Sequence, residues 1–301
     1  ILEKPGYYSQ NDMTFIVVKD SSIALAAMAS AFFDHPSRKI DLVGITGTNG
    51  KTTTATLLHD LYSSIGHKCG LISTVTNKVA DRSIKATHTT PNPVSLNSLL
   101  NEMVNEGCTH CFMEVSSHAV VQNRIHGIQF KGGVFTNISH DHLDYHKTFD
   151  AYIKAKKKFF DDLPGDSFAL VNIDDKNGSV MQQNTSGRKY TFALKTPADF
   201  KAKIIENEIS GLIMNMDGME FYSRLIGQFN AYNLLTVFAT ATLLGEDKLT
   251  ILSALSNLSS VDGRFQYVKG QKGPTAIIDY AHTPDALENV LSTINSIKKK
   301  N

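Results

Sequence analysis

The chain has 301 residues, 42% of them hydrophobic and 20% charged, enough for one large domain together with parts of others. Its 30 lysines and arginines face 29 acidic residues, a formal net charge of +1, so it has no basic footprint for nucleic acid or an anionic membrane, and an anionic ligand must be held by local groups. Three cysteines, Cys69, Cys108 and Cys111, are too few for a disulfide framework, and no apolar run reaches the roughly 18 residues of a membrane span, so a soluble protein of the reducing cytoplasm is expected.

From the N-terminus, Phe15–Val18 is a short apolar run that predicts a strand, and the alanine-rich Ser22–Phe33 predicts a helix. Pro36-Ser37 breaks that helix and marks a first linker, so residues 1–36 are expected to close one domain and residues 37–264 to form the main one. The chain opens on Ile1 without a signal-peptide pattern and stops at Lys298-Lys299-Lys300-Asn301 directly after a helical stretch, so both ends read as cut from a longer protein.

The next predicted strand, Leu42–Ile45, runs into Thr46-Gly47-Thr48-Asn49-Gly50-Lys51-Thr52-Thr53 and then a helix carrying Leu57, Leu58 and Leu61. In such a unit the glycines let backbone N–H groups point at phosphate oxygens, and the helix N-terminus adds positive potential. Lys51 can reach the β/γ-phosphates and the Thr52 hydroxyl can ligate Mg²⁺. The spacing G-x-x-x-x-G-K-T is not met, because its first position falls on Ile45 and the nearest glycine, Gly44, is one residue early. A bare β-α turn is the plainer alternative, which two glycines in this context argue against.

Thr89-Thr90-Pro91 reads by itself as a helix N-cap with proline in the first turn. Cys108-Thr109-His110-Cys111 has C-x-x-C spacing but no second pair, and it leads into an apolar strand, which disfavours zinc. Glu114 closes the predicted strand Cys111–Val115, where α/β folds place ligands and where a carboxylate suits Mg²⁺; a capping or surface acid fits equally well. After the strand Gly133–Phe135, the segment Thr136–His146 packs three histidines and two aspartates, among them Asp141 and His142, a density that suits a metal site or a solvated loop.

The run Tyr152–Phe160 looks like a basic, solvated helix face. With a helix advancing about 100° per residue, however, Tyr152, Ile153, Phe159 and Phe160 fall on the same side as Lys156, while Lys154 and Lys158 point the opposite way. A bare ammonium buried there must pair with an acid, lose its proton or be chemically modified, for example by carbon dioxide to a carbamate. Helix geometry leaves all three open, and an ion pair is the plainest.

Ala169–Asn172 predicts a further strand, and between Tyr190 and Tyr222 short alternating segments broken at Ser210-Gly211 and Asp217-Gly218 predict hairpins in a small antiparallel insert. A second boundary falls within Gly263–Gly273, after which the strand Thr275–Asp279 and a helix begin another unit, residues 265–301. Short strands alternating with helices predict an α/β fold with a mainly parallel sheet.

The segments Gly44–Thr53, Glu114-Val115-Ser116-Ser117-His118-Ala119 and Asp141-His142-Leu143-Asp144-Tyr145-His146 resemble the Mur ligases, and within them the MurE type. Glu-Val-Ser-Ser-His separates that type from its sister ligases, and the resemblance extends from about Pro36 to Glu288. It implies a P-loop central domain flanked by remnants of an N-terminal UDP-binding domain and a C-terminal Rossmann-like domain.

The same resemblance implies ATP held by Gly47, Thr48, Asn49, Gly50, Lys51, Thr52 and Thr53, with Asn230 and Asn233 on the adenine side, Arg264 touching ATP and Asp279 on the ribose. One Mg²⁺ would sit on Thr52 and Glu114, and a second would be served by His142 and a carbamylated Lys156; Lys51, Glu114, His142 and Lys156 would form the catalytic set. Thr89, Thr90, Ser116, Gln122 and Arg124 match positions that bind UDP-MurNAc-dipeptide, and Arg124 offers a fork for a carboxylate or phosphate. The implied reaction adds a third amino acid, meso-diaminopimelate or L-lysine, through an acyl phosphate, by a monomer without nucleic-acid or membrane partners. A folate- or cyanophycin-type ligase, or an inactive nucleotide-binding fragment, are the rival readings. His118 and His126 are expected to be structural or solvated.

Overall fold

The computed structural model describes residues 3, 15–141, 143–269 and 275–298. Among them, eleven strands form one sheet: β1 (Asp41–Thr46), β2 (Cys69–Ile72), β3 (Thr76–Val79), β4 (Arg82–Lys85), β5 (His110–Glu114), β6 (Gly132–Phe135), β7 (Phe168–Asn172), β8 (Arg188–Ala193), β9 (Phe200–Glu208), β10 (Gly211–Met216) and β11 (Met219–Ser223). Their spatial order is β11-β10-β9-β8-β7-β6-β1-β5-β2-β3-β4. Pairing is parallel from β2 through β5, β1, β6, β7 and β8 to β9, and antiparallel at both edges. The parallel α/β expectation therefore holds. A separate two-stranded sheet pairs β12 (Gln266–Lys269) with β13 (Thr275–Ile278).

Ten α-helices are described: α1 (Ser21–Phe32), α2 (Lys51–Ser64), α3 (Pro93–Asn105), α4 (Ser117–Val121), α5 (Leu143–His146), α6 (Phe149–Asp161), α7 (Gly178–Met181), α8 (Gln228–Leu243), α9 (Lys248–Asn257) and α10 (Pro284–Lys298). The central strand β1 shows how they cover the sheet. Its side chains alternate, so Val43 and Ile45 join the core beneath α2, α8 and α9, while Leu42 joins the opposite core with Leu96 and Leu100 of α3 and Phe159 and Phe160 of α6. Gly44 lies on the α6 side. A Cβ there would stand 2.6 Å from Phe159 Cζ and 2.9 Å from Phe130 and Val115, so this glycine makes room for a ring.

Three expectations need correction. Phe15–Val18 is no strand: among these residues only Val17 makes a bridge, and Phe15, Ile16 and Val17 are exposed, so the apolar run has no buried face to hold it in a sheet. Tyr190 belongs to β8, which pairs in parallel with β7, so the antiparallel insert begins at β9 and continues the main sheet. The first of its turns is centred on Ile209-Ser210 with Gly211 opening β10, while the second falls at Asp217-Gly218 as read, both residues at positive φ. The hairpin β3-β4 went unread because its turn is made by Ala80 at φ 49° and Asp81, without the glycine that usually advertises such a bend.

Candidate active site at the phosphate loop

The loop Gly47–Gly50 leaves the carboxyl end of β1 and enters α2, the place where parallel sheets collect ligands. Gly50 sits at φ 87° as the residue before the helix, and a Cβ on it would meet Asn233 Oδ1 at 2.6 Å. Gly47 is tighter still, with Thr136 Oγ1 only 2.0 Å from a would-be Cβ. Because Gly50 supplies no side-chain cap, the first N–H groups of α2 are left for an anion.

Neighbouring segments hold this loop in shape. Thr48 N donates to Asn137 O at 2.9 Å and Asn49 N to Asn137 Oδ1 at 2.9 Å, while Thr136 Oγ1 and Asn137 Nδ2 donate to Asn49 O at 2.7 and 3.0 Å. Thr136 and Asn137 were visible in sequence only as the start of a histidine-rich segment. Their role follows from β6 lying beside β1, with Thr46 paired to Phe135.

Lys51 folds back over the loop, donating to Gly47 O at 3.0 Å and Thr48 O at 2.8 Å. Burial lowers its pKa, the carboxylates of Glu114 and Asp141 oppose that shift, and the Arg264 guanidinium adds to it. Thr52 Oγ1 donates to Glu114 Oε1 at 2.9 Å and accepts from Arg264 at 3.1 Å, and Thr74 N gives Glu114 Oε1 a second bond at 2.7 Å. Glu114 is 1% exposed, and the cap of α4 is Ser116, so it is neither a surface acid nor a helix cap. A carboxylate and a hydroxyl this close are hard oxygen donors that fit Mg²⁺, which binds one or two protein groups and takes its remaining ligands from phosphate and water. Among the described residues no group of three or more His, Cys, Asp and Glu side chains could enclose a metal by itself. His142 lies outside the described residues.

Lys156 is 1% exposed, on the face of α6 that the helical period indicated, with Tyr152, Phe159 and Phe160 buried around it. Lys154, Lys157 and Lys158 instead pair with Asp150, Asp161 and Asp162 one turn away. The ion-pair reading of Lys156 fails among the described residues, where its Nζ donates to Gly47 O at 2.8 Å and stands 4.6 Å from the centre of the Tyr152 ring. Burial, reinforced by the nearby Lys51 ammonium and partly opposed by Asp141, pushes its pKa well below the usual value. A lysine amine thus backs directly onto the phosphate loop. Tyr152 shares a hydrogen bond at 3.2 Å with Thr48 Oγ1, tying α6 to the loop a second time.

Of the nucleotide-side residues, Asn233 Nδ2 donates to Asn230 Oδ1 at 3.0 Å, and Asn230 Nδ2 to Ile226 O at 2.8 Å, so the pair is braced with Asn233 against Gly50. Thr53 is buried in the first turn of α2. The Arg264 guanidinium lies 4.9 Å from the Tyr280 ring centre, and its Nε is buried with no hydrogen-bond partner among the described residues. Asp279 accepts from Phe265 N and Ala281 N, both at 2.7 Å, and so braces the turn at Phe265, which has φ 46°.

The substrate-side residues also converge. Thr90 Oγ1 donates to the backbone oxygen of Glu114 at 2.8 Å and accepts from Ser116 N at 3.1 Å, so the two threonines cannot be a helix cap; that position is Asn92, before α3. Thr89 Oγ1 accepts from Thr74 Oγ1 at 3.0 Å. Arg124 donates to Thr90 O at 2.8 Å and twice to Gln122 Oε1, at 2.9 and 2.6 Å, beside a cleft of about 380 Å³ lined by Ser22, His88, Asn92, Gln122 and Arg124. Burial, then Arg124, lowers the pKa of the neighbouring His118 imidazole, whose ring packs 4.1 Å from that of Tyr145. A larger groove of about 610 Å³ along Leu194, Lys201, Lys203 and Asn215 shares no residue with the loop.

Residues 45–241 match the Mur ligase middle domain, and residues 263–301 the glutamate ligase domain of Mur ligases. A UDP-N-acetylmuramoyl-L-alanyl-D-glutamate--2,6-diaminopimelate ligase of Cytophaga hutchinsonii is 60% identical over 99% of this chain and 62% of its own length. The protein of that name from Bacillus cereus is 38% identical over 96% of this chain and 61% of its own. A solved structure of a ligase so named has a TM-score of 0.78 at 29% identity, over 91% of this chain and 58% of that one. MurF of Acinetobacter baumannii, at 19% identity and TM-score 0.74, covering 97% of this chain and 62% of its own, shares the fold. The chain therefore spans about 62% of the length of the Cytophaga relative.

Proposed function

Because the chain belongs to the Mur ligase family, we propose that it is the nucleotide-binding core of an ATP-dependent ligase that joins 2,6-diaminopimelate to UDP-MurNAc-L-Ala-D-Glu in peptidoglycan synthesis. The observation that carries this reading is the meeting of Lys51, Thr52 and Glu114 at an anion-ready helix N-terminus, with Lys156 buried behind the same loop. The diamino acid comes from the names of the relatives; the resemblance in the sequence left L-lysine equally open.

In the reaction, a carboxylate oxygen of the D-glutamate attacks the γ-phosphorus of ATP, ADP leaves, and an acyl phosphate forms. The amine of the diamino acid then attacks the acyl carbon, phosphate leaves, and the amine proton goes to solvent. The protein's part is positioning and charge neutralisation, with no protein nucleophile. Lys51 would leave its two carbonyl partners for the phosphates, the Gly47–Thr53 backbone would cradle them, and the Arg124 fork would orient an acidic group of the precursor beside Thr89, Thr90, Ser116 and Gln122. Asn230, Asn233, Arg264 and Asp279 would line the nucleoside side.

Mg²⁺, when bound, supplies neutralising charge on the phosphates. Thr52 and Glu114 would hold one ion, and His142 with a carbamylated Lys156 would serve a second. The lowered pKa of Lys156 favours the neutral amine that a carbamate requires: its nitrogen bonds to the carbon of CO₂ and one N–H proton is released. Residues 1–36, 37–264 and 265–301 would be the end of a UDP-binding domain, the ATP-binding domain and the start of a closing domain. A monomeric, cytoplasmic enzyme without membrane or nucleic-acid partners is part of the same proposal; the net charge of +1 gives no basic footprint for nucleic acid, and no helix among the described residues is long and apolar enough to cross a membrane.

The test is phosphate release by the full-length protein with ATP and Mg²⁺. Release that requires both UDP-MurNAc-L-Ala-D-Glu and 2,6-diaminopimelate supports the reading, and preference for L-lysine would correct the amino acid. No release with the precursor, or release with a folate substrate instead, would sink it.

A further inference from the structure

Asp285 stands in the first turn of α10, downstream of the two-stranded sheet, and Thr283 Oγ1 caps that turn by accepting from Ala286 N at 3.3 Å. Its carboxylate reaches away from its own helix. Oδ2 accepts from Asn49 Nδ2 at 2.7 Å and from Ser139 Oγ at 3.0 Å. Asn49 lies inside the phosphate loop, and Ser139 N donates to Thr48 Oγ1 at 3.0 Å, so both partners belong to the cradle itself.

The other cationic and polar groups around the cradle are also turned onto protein oxygens: Lys51 and Lys156 onto the Gly47 carbonyl, Lys51 onto the Thr48 carbonyl, and Thr52 onto Glu114. Those acceptors lie on β5 or in the loop that follows β1. Asp285 differs, because it brings an anionic oxygen from the unit beyond Arg264 onto a loop whose backbone geometry suits anionic oxygens. Its two bonds tether α10 to the loop, and its charge opposes a polyphosphate entering the same cradle.

We propose that Asp285 is a resident anion of the phosphate loop, a latch whose carboxylate occupies Asn49 and Ser139 until the phosphates of a nucleotide displace it. The proposal rests on the nucleotide-binding reading above. Displacement of the carboxylate is driven by phosphate charge and leaves Arg264 and Asp279 where they are, so the latch acts on ATP more than on ADP and leaves the nucleoside alone.

Asp285→Asn in the full-length protein tests this, since it keeps an oxygen for Asn49 and Ser139 and removes the charge. Asp285→Ala, which also removes the tether, guards against an Asn variant that fails to fold. Dissociation constants for ATP, ADP and adenosine, measured by calorimetry without Mg²⁺ at low and high salt, give the readout. The expected result is ATP binding tightened on the order of tenfold, ADP less and adenosine unchanged, with the gap shrinking as salt screens the charge. If the wild type binds ATP and both variants keep its ATP-to-adenosine affinity ratio, or bind ATP more weakly, the latch is overturned and nucleotide binding stands. If the wild type binds neither ATP nor adenosine, both readings fail.

Discussion

Gly44→Ala separates two roles that a glycine just before a phosphate loop can have. Its neighbours across β5 and β6 are Met113 and Gly133, and a Cβ on Gly133 would itself meet Leu163 at 2.9 Å and Phe159 at 3.1 Å. The two glycines form a flat floor for the Phe159 ring. Adding a methyl at Gly44 puts carbon 2.6 Å from Phe159 Cζ, well inside the 3.4–4 Å of ordinary contact. The ring has little room to yield, because Phe130 packs edge-on at 5.0 Å and Phe160 at 5.2 Å. Overpacking of this kind costs about 1–3 kcal/mol, which at roughly 2–4 °C per kcal/mol for a chain of this size lowers Tm by about 2–12 °C.

Phe159 follows Lys156 by less than one turn of α6, so a displaced ring reaches the phosphate loop indirectly, through the Lys156–Gly47 and Tyr152–Thr48 bonds of that helix. ATP affinity in Gly44→Ala is therefore expected to change by no more than about threefold. Gly47→Ala is the contrast: its methyl would stand 2.0 Å from Thr136 Oγ1 and 3.0 Å from Asn137 O, and ATP binding should weaken by more than about tenfold. Thermal melts and nucleotide titration of both variants provide the measurement. A Gly44→Ala protein that melts like the wild type but no longer binds ATP would refute the packing role.

Lys156→Met is expected to leave the melting temperature unchanged or raise it, because an amine buried with no ion-pair partner among the described residues gives way to an apolar chain of similar length, while phosphate release falls at least about 100-fold. A marked loss of stability with activity retained would show that Lys156 serves only the fold. For Asp174, burial raises the carboxyl pKa but hydrogen bonds from Thr196, Lys195 and Tyr232 outweigh it, holding it well below the usual value of 3.8. A depressed folded pKa stabilises above the unfolded value, and that contribution is lost as pH falls below it. Asp174→Asn should thus cost about 1–3 kcal/mol at pH 7, measured by urea melts, and the gap to wild type should close as pH drops below 3.8; a gap constant down to pH 2 would contradict this.

Two parts of the site were legible in the residues alone. The strand, glycine loop and helix from Leu42 to Leu61 could be read because its requirements are local: apolar β-branched residues, backbone freedom at Gly50 and a helical run thereafter. Lys156 could be placed on a buried face because helical periodicity acts within two turns. The helix-cap reading of Thr89-Thr90-Pro91 went astray for a related reason, since a short polar-proline cluster looks the same whether it caps its own helix or bonds to a strand that comes later.

What that lysine, Glu114 and the loop do for one another was settled by the sheet. Placing β1 between β5 and β6 sets Ile45 beside Glu114 and Thr46 beside Phe135. That order brings the carboxylate to Thr52, lays Thr136 and Asn137 along the loop and puts Gly44 under Phe159, whereas spacing showed only that Gly44 falls one residue early for the phosphate-loop pattern. The contact of Asp285 with Asn49 joins residues 236 apart and has no local signal at all. Residue order determined the α/β class, the loop and the helix faces, because backbone propensity and side-chain period act over a few neighbours. Strand order and the docking of α10 came only with tertiary structure, because they are decided by which buried surfaces fit together across the whole chain.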